Sequence, residues 1–142
     1  MYTGLLHTHS LFRYVLLALL IIAIIKALVS WLGKKPFINI DNKISLWLLI
    51  VAHVQLLIGL SLYFISPFVQ FTADTMKTKE LRYWAVEHSV AMIIAIVLIT
   101  IGRISMKKIT TDEGKHKRLF VMNVIALIII VATILNGGRG LL

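Results

Sequence analysis

Four long apolar runs, each bounded by charged or turn residues, leave this chain very few folds. They lie at about residues 5–32, 44–66, 82–102 and 117–136 of 142. Each nears or reaches the ~20 residues that a helix needs to cross the hydrocarbon core of a bilayer. Hydrophobic residues make up 59% of the chain and charged residues 15%, and the mean hydropathy is +0.92. A soluble globular domain is richer in charge than this, so that class is excluded together with a disordered chain. The runs do not alternate apolar with polar residues, which excludes a transmembrane β-barrel. There is no cysteine, and with it go disulfides, thiolate metal sites and cysteine catalysis. The expected fold is an all-α membrane protein, a single antiparallel up-and-down bundle of four transmembrane helices. Short connections make successive helices neighbours, so helices 1 and 3 should face each other diagonally, as should 2 and 4.

The boundaries carry their own signals. Gly33 and the Lys34–Lys35 pair end the first run, Asp41 or Asn42 is the expected N-cap of the second, and Pro67 stops it. Thr110-x-x-Glu113 has the spacing of a capping box, so the fourth helix should begin about two turns before its apolar part. Residues 67–81 mix Phe68, Phe71 and Met76 with polar residues, as a short amphipathic turn on the outer membrane surface would. The net charge of +9 is concentrated in two expected loops, one with Lys34, Lys35 and Lys43, the other with Arg103, Lys107, Lys108, Lys115, Lys117 and Arg118. Basic loops beside apolar spans face the cytoplasm. This predicts an integral membrane protein with both termini facing away from the cytoplasm, no cleaved signal peptide, and membrane lipids with anionic headgroups as partners in place of nucleic acid.

Ionisable and polar groups inside a span are costly and are functional candidates for that reason. They are His9 and Arg13 in the first run, His53 and Gln55 in the second, Glu87 and His88 in the third, and Asn123 in the fourth. Lys26 is near enough to the loop end to snorkel, with Trp31 as an anchor, and His116 is expected to be solvated. His9 and His88 each lie six residues in from the outer end of their helix, at Thr3 and Arg82. At 1.5 Å rise per residue both are roughly 9 Å deep, on helices that face diagonally. Ala95 and Gly102 follow His88 at seven-residue steps, a small-residue stripe that suits either close helix packing or a flat cofactor. A b-type haem needs two opposed neutral imidazoles with cations near its propionates. His9 and His88 are the candidate axial ligands of the haem iron, and Arg13 and Arg82 the candidate cations. Glu87 points about 100° away from His88 and is the expected partner of Arg13. The competing reading of this group is an interhelical hydrogen-bond and salt-bridge network without a cofactor. His53, near the midplane, is an additional candidate for a proton relay or a quinone contact. The chain has no Gly-rich phosphate loop, HExxH motif or Ser–His–Asp set, and no residue is assigned a catalytic role.

The run His9-Ser10-Leu11-Phe12-Arg13, the helix 2 segment QLLIGLSLYF, the WAVEH ending in His88 and the IGR ending in Arg103 resemble a group of small bacterial four-span membrane proteins described as cytochrome-b-like. The resemblance extends over nearly the whole chain. It implies a membrane electron-transfer or respiratory-chain role, with His9 and His88 as the matching histidines. That group often has a further histidine before the final Gly-Arg of helix 3, where this chain reads Thr100-Ile101-Gly102-Arg103, so a two-haem scheme lacks a ligand. The expected function is that of a haem-b-binding electron-transfer protein or an accessory subunit of a respiratory complex. The alternative is a cofactor-free structural or assembly subunit of a larger membrane complex.

Overall fold

The computed structural model describes residues 2–65 and 88–136. Arg82, Glu87 and the 67–81 segment lie outside the described residues, and with them the expectations placed there. The described chain is all helical: α1 Tyr2–Leu32, α2 Asn39–Ile65, α3 His88–Lys107 and α4 Asp112–Asn136. All four are long and apolar enough to cross a membrane. Large apolar side chains such as Ile22, Ile25, Leu57, Ile104 and Ile128 are exposed, and helices that are apolar all round suit a hydrocarbon surround better than water.

The helix ends differ from the sequence expectation in instructive ways. α1 closes with Lys34 N–H donating to the Trp31 carbonyl at 3.2 Å and Lys35 N–H to the Ser30 carbonyl at 2.9 Å. That is a Schellman pattern, and Lys34, not Gly33, takes the left-handed position, with φ 52°. α2 begins at Asn39, so Asp41 is not its N-cap but sits at the third helical position. There its carboxylate accepts from the Ile38 N–H at 3.0 Å, the return half of a capping box. The N-cap of α4 is Thr111 in place of Thr110, its hydroxyl accepting from Gly114 N–H at 3.1 Å. α3 continues past residue 102 to Lys107. Arg103 is therefore a helical residue, not a loop residue, and it is buried. Lys43, Lys115, Lys117 and Arg118 are likewise helical.

α1 packs against α2 and α4, and α3 packs against the same two. The core between them contains Leu20, Leu48, Ala52, Ala95, Ile99, Ala126 and Ile130, and its alanines let the helices approach closely. The small-residue stripe of α3 is used for packing at Gly102. A Cβ there would stand 2.9 Å from the Cβ of Met122, so α4 occupies the space that a flat cofactor would have needed at this level.

Candidate functional site

Two polar groupings sit at opposite ends of α1. The first is built around His9, one helical turn before Arg13. Its ring meets that of His88 from α3, with centroids 6.5 Å apart and planes at 62°. Opposed imidazoles on one metal, each at an N–metal distance of ~2.0–2.1 Å, have centroids about 6 Å apart, a spacing close to that of this edge-to-face pair. His9 Nδ1 is buried with no hydrogen-bond partner. A buried ring nitrogen in that condition costs free energy unless something binds it. Arg13 is half-buried, its guanidinium carbon 5.0 Å from the centroid of the Tyr14 ring.

Two residues on α2 complete this grouping. Gln55, only 8% exposed, donates from Nε2 to the His9 carbonyl at 3.0 Å, while its Oε1 is buried without a partner. Gly59, one turn further along, faces the His9 ring, and a Cβ there would lie 3.5 Å from Cε1. A methyl would fit, and anything larger would press on the ring. Ala52, Gln55 and Gly59 share the bundle-facing side of α2 by their three- and four-residue spacing. That spacing was the available signal for Gln55, which residue type alone left undecided. His53 belongs to the opposite side. It is exposed, and its Nδ1 pairs with the Leu49 carbonyl of its own helix at 2.8 Å, so the structure does not bring it to the His9–His88 pair.

The second grouping gathers at the loop end. Lys26 Nζ donates to Asp41 Oδ1 at 2.7 Å and to Ser30 Oγ at 3.1 Å. Arg103 Nη1 donates to the carbonyl and to Oδ1 of Asn42, both at 3.1 Å, and to the Ser45 hydroxyl. His116, expected in solvent, is 1% exposed. Its Nε2 lies 3.2 Å from the Lys35 carbonyl and its ring packs on Phe37 at 5.4 Å. A carbonyl only accepts, so Nε2 carries a proton there. The apolar run of α4 begins after His116, and sequence reading had placed this residue beyond the bundle. It is buried because the α1–α2 loop folds over the start of α4. The head of Lys26 is held by a carboxylate that the sequence offered only as a cap.

Among the described residues, no group of three or more His, Asp or Glu side chains is arranged to hold a metal ion by itself. The fit to a haem therefore rests on the imidazole pair alone: its spacing, the unsatisfied Nδ1 and the adjacent Gly59. Comparison with known proteins gives no further guide: no family model, no curated protein and no solved structure matches this chain.

Proposed function

We propose that this chain is an integral membrane protein that binds one haem b and serves in electron transfer, by itself or as an accessory subunit of a respiratory complex. The observation that supports the reading is the His9–His88 pair, 6.5 Å between centroids, drawn from two helices that otherwise pack mainly on α2 and α4. His9 and His88 would hold the iron, with Arg13 near the propionates and Arg82 as a second cation. The cofactor would supply one-electron chemistry at the iron. The protein's part is positional. Gln55 ties the α1 backbone at His9 to α2, Gly59 leaves the ring its room, and the apolar surround keeps water from the imidazoles. In this proposal the helices form an antiparallel up-and-down bundle in a bacterial inner membrane, basic loops in the cytoplasm and both termini periplasmic, as the lysine and arginine asymmetry favours. Lipids and subunits of a larger complex are the proposed partners, with quinone as a candidate redox partner.

The test is a reduced-minus-oxidised visible spectrum of protein purified under haem-replete conditions. Wild type should give a low-spin b-type spectrum. His9→Ala and His88→Ala should each abolish it, while His53→Ala and His116→Ala should retain it, the latter with a lower melting temperature. A preparation without a Soret band overturns the haem reading in favour of a cofactor-free structural or assembly subunit. An active-only-in-cytoplasm reporter fused at Leu142 would reverse the orientation.

A further inference from the structure

The loop-end grouping borders a small, partly open pocket lined by Ala23, Ala27, Lys26, Asp41, His116 and Asn123, among others. Asn123 is 2% exposed, and its Nδ2 is buried with no hydrogen-bond partner. Among the other buried polar side chains here, Asp41, Ser45, Arg103 and His116 all have partners. A donor left in this state costs about 1–3 kcal/mol unless an acceptor reaches it. Lys26 adds a second donor to the same wall, since an ammonium has three N–H groups and Asp41 and Ser30 take two. Two donors thus line the same pocket as a carboxylate that still has lone pairs to offer.

Size and charge together select the occupant. The pocket has room for about one water molecule, near the lower limit for a hydrated cavity, and offers the two to four polar partners such a water needs. An organic ring is too large. Asp41 in the wall disfavours an anion, and Lys26 disfavours a metal cation. The charged and titratable groups around it come from every helix: Lys26 from α1, Asp41 from α2, Arg103 from α3 behind Asn42 and Ser45, and His116 from α4. We propose that this pocket binds a single exchangeable water that accepts from Asn123 Nδ2 and donates to Asp41. The water joins α4 to the Lys26–Asp41 pair. This site is independent of the histidine pair and of any cofactor there.

The test uses the full chain in lipid nanodiscs with ¹⁵N-labelled asparagine, and reads magnetisation transfer from water to the side-chain amides. Asn123→Leu identifies the Asn123 signal by its loss. In wild type the Asn123 amide should build up from water at mixing times that also saturate the exposed Asn39. In Ala27→Val, which puts two methyl groups into the pocket, the Asn123 transfer should fall to baseline while that of Asn39 stays. Ala23→Val is the second filling variant if the first does not fold. Absence of transfer to Asn123 in wild type overturns the proposal without any variant. Transfer that persists in a folded, pocket-filled variant overturns it too, because the water would then be reaching Asn123 from elsewhere.

Discussion

The two ends of the bundle treat their polar side chains in opposite ways. Among the described residues at the loop end, Lys26, Asp41, Ser45, Arg103 and His116 are buried or half-buried and joined by hydrogen bonds that link helix to helix and helix to loop. At the histidine end, His9 Nδ1 and Gln55 Oε1 are both buried without a partner. A satisfied network in an apolar surround holds helices in register, because every broken bond would strand a partner where water cannot replace it. Unsatisfied groups are tolerated only where something else is gained. The contrast is between a loop end whose buried polar side chains are joined to partners and a histidine end where buried groups are left over, apart from the one orphaned donor of Asn123 at the loop end.

Removing Arg103 should give the largest effect. Arg103→Leu leaves the Asn42 carbonyl, its Oδ1 and the Ser45 hydroxyl without their shared donor, at a cost of about 3 kcal/mol in detergent melts. A loss below ~1 kcal/mol would mean that this network is dispensable and would dissolve the contrast. Glycine substitutions come next, because they probe the two ends with the same added methyl. Gly102→Ala drives a Cβ to 2.9 Å from Met122 Cβ, and overpacking of that kind costs about 1–3 kcal/mol. Gly59→Ala meets the His9 ring only at 3.5 Å and should be neutral or stabilising by up to about 1 kcal/mol, from the gain in helix propensity. Equal melting shifts for the two would show that the histidine end is packed as tightly as the loop end.

The ion pair should matter less than the arginine. Lys26 has a side chain 35% exposed against 4% for Asp41, so in Asp41→Asn the ammonium can turn toward the interface. The expected loss is about 1 kcal/mol. The pair of changes Lys26→Met and Asp41→Leu should cost less than Asp41→Leu alone, since it strands no charge. Additive melting shifts would mean that the two residues do not depend on one another. The smallest effect belongs to the end of α1. Lys34→Gly relieves a left-handed side-chain residue at φ 52° and should raise stability by about 0.5–1 kcal/mol. An unchanged melting temperature would argue that the lysine side chain offsets its backbone cost.

What could be read from the sequence divides along the same line. The spans were legible because a membrane-crossing helix is specified by length and hydropathy alone, and α1, α2 and α4 each overlap their expected runs almost throughout. That His9 and His88 come to the same level, their ring centroids 6.5 Å apart, was legible for a related reason, since rise per residue converts position along a helix into height. Burial at the loop end was not. Arg103, Asp41 and His116 lie where the apolar pattern fades, and a one-dimensional pattern assigns such residues to solvent. Only the loop folding back over α4, and α3 running on to Lys107, put them inside. Gly59 was hidden differently: spacing groups it with Ala52 and Gln55, but α2 is apolar on both sides, so periodicity does not say which stripe looks inward.

Seventeen residues separate His9 from Lys26 along α1, a lever of roughly 25 Å at 1.5 Å per residue. With its fulcrum held at the loop end, a tilt of only about 2° in α1 displaces the His9 ring by about 1 Å. The gap between the two imidazoles is therefore calibrated from afar. A bond such as that between Lys26 and Asp41, with no atom near either ring, sits at the short arm of that lever, whose jaws are at the other end.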